Sequence, residues 1–326
     1  MDAQLRRIGL LALAATLLSA CATQLPPPEP AVVEEPVEVV VEPAPAPVEE
    51  AEVLPEPVLP PPPPPLPSVA IVLTSNTPVY TDVANELAAH FENYKVYDLG
   101  DETRTPVSVL RLINDSSPVV VIAIGVRAAL SSVAMSEQPV VFSQVFNYRH
   151  HDLLRDNTRG VAALPPIDAQ LAAWREIDPA VKRIGFIIGE GHEDLLAEAE
   201  VAAQRHGLEL SAEVSRSDQE TLYIFRRMIR DIDGFLLLPD NRILSSRVLQ
   251  EMMNEAKRHR VPVTVPNDAM LSLGASISMT ASAADVARAI VKVVRAIQAG
   301  NIANVPPITA LTEILVKTGP VEQAAR

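Results

Sequence analysis

Few side chains in this chain are placed to do chemistry. His150-His151-Asp152 and His192 could offer metal ligands, but neighbouring histidines cannot share one helical face and no partner at i+4 completes a zinc-like set. Serine, histidine and aspartate are plentiful, yet there is no G-x-S-x-G elbow and no phosphate-binding P-loop, so nucleophilic and phosphoryl chemistry have no support. No catalytic residue, metal or cofactor is expected. The single cysteine, Cys21, allows neither an intrachain disulfide nor a CxxC redox pair. Trp174, the only tryptophan, follows Leu171 by about one helical turn, which reads as core or hinge packing, with ligand stacking as the alternative. Arg226, Arg227 and Arg230 read as a solvated helix face.

Composition narrows the remaining classes. The chain has 326 residues, of which 48% are hydrophobic and 21% charged, so it is too apolar to be wholly disordered and long enough for one or two domains. Residues 1–67 hold ten acidic and two basic residues, leaving 31 acidic and 25 basic residues in 68–326. Both parts are acidic and no basic cluster exceeds a pair, which argues against a nucleic-acid partner.

The N-terminus reads as an export address. Arg6-Arg7, the apolar run Ile8 to Leu18 and the small residues Ser19-Ala20 form the three regions of a signal peptide over 1–20, too short to span a bilayer. Leu18-Ser19-Ala20-Cys21 resembles a bacterial lipobox, which implies lipidation of Cys21 and attachment to a bilayer on the periplasmic side; an ordinary cleaved signal is the alternative. Ala22, where an aspartate would be expected for inner-membrane retention, favours the outer membrane. Residues 24–67 then carry 17 prolines and nine glutamates with no basic residue. Proline favours polyproline II and like charges repel, so 21–67 is expected to be a disordered tether, reaching on the order of 130 Å if fully extended. It serves as a spacer or as a docking site for a proline-reading partner.

From Ser68 the pattern alternates strand and helix. Strands are expected at 69–73, 94–97, 119–124 and 139–142, with helices at 79–91, 107–113 and 128–135 between them. A second series follows the Gly160 region: helix 167–177, strand 183–188, helix 193–206, strand 208–214, helix 219–230, strand 234–238, helix 245–259, strand 261–265, helix 283–299 and strand 312–316. Strands such as Val119-Val120-Val121-Ile122-Ala123-Ile124 are apolar on both faces, as central parallel strands must be. The number of strands fits an α/β protein of two doubly wound parallel-sheet lobes, whose ligands sit beyond the carboxyl ends of the strands.

The loops at those ends carry a family likeness. Ala123-Ile124-Gly125, Pro139-Val140-Val141-Phe142, Arg159-Gly160-Val161, Leu238-Pro239-Asp240-Asn241 and Asn254-Glu255-Ala256-Lys257 before Val261-Pro262-Val263 resemble the ABC-transporter substrate-binding proteins, nearest to the group associated with aromatic amino acid uptake. The resemblance implies a type I periplasmic-binding-protein fold, with two lobes joined by a hinge crossed three times. On that plan residues 68–161 and 276–304 form the first lobe, and 162–275 and 305–326 the second. Ligand contacts carried over by position are Thr74, Ser75, Asn76, Gly125, Val126, Gln144 and Asn147 from the first lobe, and Glu190, Asp240, Asn241, Asn267 and Asp268 from the second. Short polar side chains at strand ends can hold an ammonium or a carboxylate, and they also serve as turn residues and helix caps.

Departures from the family pattern matter too. Gly125-Val126-Arg127 stands where members usually read Gly-Thr-Pro, and Ser278-Met279-Thr280-Ala281-Ser282 stands where they usually carry an aspartate followed by aromatic residues. The expected partners are a small organic solute, amino acid-like or other, and either an ABC permease or an envelope protein complex. The resemblance implies a lipid-anchored solute receptor; the alternative is an outer-membrane lipoprotein whose binding-protein fold contacts or regulates an envelope machine.

Overall fold

The computed structural model describes residues 68–319; the signal, lipidation and tether readings fall outside them. Two six-stranded sheets account for the alternating pattern. In the first, β1 (Val69–Leu73) lies between β2 (Tyr94–Asp98) and β3 (Val120–Ile124), followed outward by β4 (Val140–Ser143), β5 (Thr158–Val161) and β11 (Ile308–Thr309), all parallel. In the second, β6 (Arg183–Gly189) lies between β7 (Glu209–Ser215) and β8 (Gly234–Leu236). Next come β9 (Val263–Val265), β10 (Ile277–Thr280) and an antiparallel edge strand, β12 (Leu315–Thr318).

Both sheets are covered on both faces, and the side-chain period of two shows how. Along β1, Val69, Ile71 and Leu73 face α1 (Pro78–Ala88) and α8 (Ala283–Gln298), while Ala70 and Val72 join the cluster of α2 (Pro106–Ser116) and α3 (Val126–Met135). Along β6, Ile184, Phe186 and Ile188 pack with α4 (Ile167–Ile177) and α5 (Glu193–Arg205), and Ile187 turns to α6 (Asp218–Met228) and α7 (Ser246–His259). Trp174 lies fully buried in the first of these clusters, which makes it a core residue. Helix starts follow the caps in the sequence: Thr105, Ser217, Ser245 and Ser282 each accept a hydrogen bond from a backbone N–H three residues on. No helix among the described residues is long and apolar enough to cross a membrane.

Three crossings join the sheets, and strand pairing moves two of the expected boundaries. β10, assigned by 276–304 to the first lobe, pairs with β9 and β12 in the second sheet. β11, assigned by 305–326 to the second lobe, pairs with β5 in the first. The crossings therefore run through residues 162–166, 281–282 and 310–314. The buried Ser278 hydroxyl of β10 donates to Asp268 in the 3₁₀ turn after β9. β11 is two residues long, held where Gly160 N–H donates to the Pro307 carbonyl and Ala162 N–H to that of Thr309. Neither strand carries a run long enough to show a period.

Candidate functional site

The loops after β4, β6 and β8 meet where the two lobes face each other. Asn147, from the loop after β4, is 3% exposed and spans the gap with its carboxamide. Its Nδ2 donates to Asp240 Oδ1 at 3.0 Å and to Asn241 Oδ1 at 2.9 Å, both after β8. Its Oδ1 lies 2.9 Å from Nε2 of His192, the residue just before α5 in the second lobe. Because Asn147 Oδ1 can only accept, this contact requires the Nε2–H tautomer of His192. The ring of Phe146 packs on the same imidazole at 4.7 Å between centroids.

Asp240 is 1% exposed and richly bonded. Besides Asn147, its Oδ1 accepts from the backbone N–H and the Nε of Arg242 (3.1 and 2.9 Å), and its Oδ2 accepts from Arg242 Nη2 at 2.7 Å. Burial alone would raise its pKa; the hydrogen bonds and charge of Arg242 outweigh that and hold the carboxyl below its ordinary value. His192 moves the other way from its neighbour's pull: burial lowers its pKa against the attraction of Asp240, so the ring is neutral at pH 7 and its 3.8 Å approach to Asp240 is no ion pair there. Gly189 at the end of β6 makes room for the pair, since a Cβ there would lie 2.3 Å from Asp240 Oδ2 and 2.6 Å from Arg242 Nη2.

A cavity of about 290 Å³ opens beside α1, lined by Gln144, Ala163, Asn267, Asp268, Thr280 and Asp82 among others, so both lobes and the hinge contribute. Gln144 adopts φ +58°, a conformation that L side chains rarely hold and that recurs at binding sites. Asn267 caps a short 3₁₀ turn by accepting from Ala269 N–H at 2.8 Å. Asp268 is paired with Lys317. Burial would raise the Asp268 pKa, but hydrogen bonds from Lys317 and Ser278 hold it below its usual value.

The other positions read from the sequence serve nearer purposes. Thr74 Oγ1 accepts from Ala128 N–H at 3.1 Å, tying the end of β1 to α3. Gly125 begins α3 with φ +87°, and a Cβ there would lie 2.6 Å from Thr74 Oγ1, so only glycine fits. Val126 packs against the lobe's apolar cluster, and Ser75 faces Thr77 at 3.4 Å. Asn76 is exposed. Glu190 turns outward to Arg216 at 2.6 Å. The structure thus joins Asn147, Asp240 and Asn241 in one cluster and places Gln144, Asn267 and Asp268 around one cavity; the Glu190 carbonyl accepts from Arg242 Nη1 at 2.9 Å while its side chain faces Arg216, and Thr74, Ser75, Asn76 and Val126 stand apart from both. Sequence reading missed Arg242, whose Asp-x-Arg spacing from Asp240 was the available signal. Among the described residues no three His, Asp or Glu side chains gather as a metal site.

A family model gives the family, and solved structures agree with the fold. The family model described as "ABC transporter substrate binding protein" matches residues 90–316. No curated protein matches the chain. Among solved structures, a conserved domain protein from Vibrio cholerae is 19% identical, with TM-score 0.53, covering 77% of this chain and 91% of that one. The ABC domain in complex with L-Trp from Streptococcus pneumonia is 18% identical, with TM-score 0.52, covering 76% and 91%. A ligand-free, open substrate-binding protein with adhesive properties from Clostridium difficile is 12% identical, with TM-score 0.58, covering 78% and 92%. At these identities the likeness to solved structures speaks to the fold, and it agrees with the two parallel sheets. With the model matching over two thirds of its length, this chain belongs to the ABC transporter substrate-binding protein family, a family of binding proteins rather than enzymes.

Proposed function

We propose that this protein is a lipid-anchored solute-binding protein that captures a small organic ligand between its lobes and carries out no chemistry. Cys21 would be its lipid attachment at the periplasmic side of a bacterial membrane, preferably the outer one, and residues 22–67 its tether. The observation that carries the reading is the burial of Asn147, His192 and Asp240 at the meeting of the lobes, to 3, 6 and 1% exposure. A permanent domain interface would be sealed more cheaply with apolar side chains, whereas polar groups at strand ends suit a seam that opens to water and closes on a solute. Gln144, Asn147, Asp240, Asn241, Asn267 and Asp268 are the contacts we assign to the ligand; an ABC permease would then receive it.

Thermal unfolding of the full chain against amino acids, nucleosides, sugars, short peptides and cell-wall fragments at about 1 mM tests this. A ligand of micromolar affinity adds about 4 kcal/mol, and Asp240→Ala should abolish the effect. A second reading is favoured by one observation: Asp240 and Asn147 already spend their hydrogen bonds on each other and on Arg242. A seam so satisfied suits a tethered module that has kept the fold and contacts an envelope protein complex instead. No stabilisation by any solute on well-folded protein selects that second reading.

A further inference from the structure

A second cavity, of about 210 Å³, opens between the lobes and shares no lining residue with the one beside α1. Successive residues of the first hinge crossing separate them: Ala162 and Leu164 line this cavity, Ala163 the other. None of the twelve ligand positions read from the sequence lies on its wall.

The wall is mainly apolar. Phe146, Tyr148, Leu164, Pro165, Ile167 and Ile308 supply rings and branched chains, and the remaining polar groups come from the first turns of α5: His192, Asp194 and Glu198. Two of those three are spoken for. His192 is bonded to Asn147, and burial keeps its ring neutral at pH 7. Asp194 pairs with Arg149 at 2.6 Å, and the same guanidinium lies over the Tyr148 ring at 5.7 Å, so the protein already sets a cation of its own against a ring and a carboxylate of this wall. Glu198 has no ion-pair partner among the described residues. The wall therefore presents an apolar, ring-lined body with one uncompensated negative charge at its edge.

We infer that this hinge-side cavity binds a small organic monocation, an ammonium head on an apolar body of about one ring, with Glu198 facing the head and Phe146 and Tyr148 the body. The volume lies below that of a drug-sized pocket, which limits the body to this size. The two cavities have separate walls, and this one meets the seam of the proposed solute site through His192, which bonds Asn147.

The test is isothermal titration of the full chain with three molecules that share a body and differ in the head: 2-phenylethylamine, 2-phenylethanol and phenylacetate. The amine should bind about tenfold more tightly than the alcohol, and the acid more weakly still. Glu198→Gln, at an exposed position, should bring amine and alcohol to equal affinity. Ala310→Phe, also exposed, should fill the cavity and abolish binding of all three. Gln144→Ala, on the other cavity, should leave the amine unaffected. The inference is overturned if the amine does not bind at 10 mM or binds no better than the acid, or if Glu198→Gln and Ala310→Phe leave its affinity unchanged. A solute from the screen above whose binding responds to Gln144→Ala and not to Ala310→Phe reports on the other cavity alone, so the two readings fail separately.

Discussion

Two buried carboxylates join the lobes, and they do so differently. Asp285 on α8 is 3% exposed and accepts from Thr312 N–H and Oγ1–H at 2.9 and 2.8 Å and from Glu313 N–H at 3.0 Å, within the third hinge crossing. Asp240 is as deeply buried, but its cross-lobe partner is a single side-chain amide, Asn147; its other donors come from Arg242, two residues away on its own lobe. The hinge contact is to backbone that must run between the lobes whatever their angle. The seam contact can part without breaking any chain geometry, since Asn147 and Asp240 would each find water. One carboxylate fixes the pivot; the other holds the faces together only while they touch.

The largest expected effect tests the pivot. Asp285→Ala strands three hydrogen-bond donors at a buried site and should lower the unfolding free energy by about 4 kcal/mol in urea titrations of the full chain. Asp240→Ala should cost less, about 2 kcal/mol, because Arg242 can swing toward solvent and Asn147 keeps Asn241 as an acceptor. Equal costs for the two would break the contrast. Asn147→Ala should change stability by only about 1 kcal/mol, yet increase the radius of gyration in solution scattering as the seam loosens. An unchanged radius would mean that packing alone holds the lobes together.

The pH profile sharpens the same contrast with a smaller signal. His192 has a folded pKa held below its usual 6.5 by burial, so between that value and 6.5 the unfolded chain takes up a proton that the folded seam refuses. Stability should therefore fall as the pH drops through 6.5, and His192→Gln should remove that part of the slope. Asp240 and Asp285 are held below 3.8: burial pushes each upward, and hydrogen bonds from Arg242 in one case and from Glu313 and Thr312 in the other outweigh it. What they contribute is fully present above 3.8 and is lost as the pH falls below it. A profile flat between pH 7 and 5 would show that the His192 environment is open to water.

Much of the fold was legible because the central strands are long and apolar on both faces. Val69–Leu73, Val120–Ile124 and Arg183–Gly189 stand in the sheets where their patterns predicted strands. The lobe boundaries were not, because β10 and β11 are short and their place depends on which sheet edge is free: β10 joins the nearby β9, whereas β11 joins β5, where Ile308 stands beside the distant Gly160. At the candidate site, the likeness of Leu238-Pro239-Asp240-Asn241 pointed to the loop that carries the buried carboxylate. It could not reveal that Arg242 would turn back to occupy the carboxylate, nor that Asn147 would reach it across 93 residues of sequence.

The sequence by itself determined what local pattern can encode: an α/β chain of doubly wound order, helix caps at Thr105, Ser217, Ser245 and Ser282, and an acidic composition. The tertiary structure alone decided which polar side chains would be consumed by one another and which would line a space. That outcome depends on distances between loops far apart in the chain, and hydrogen bonds and burial are set by those distances rather than by residue type.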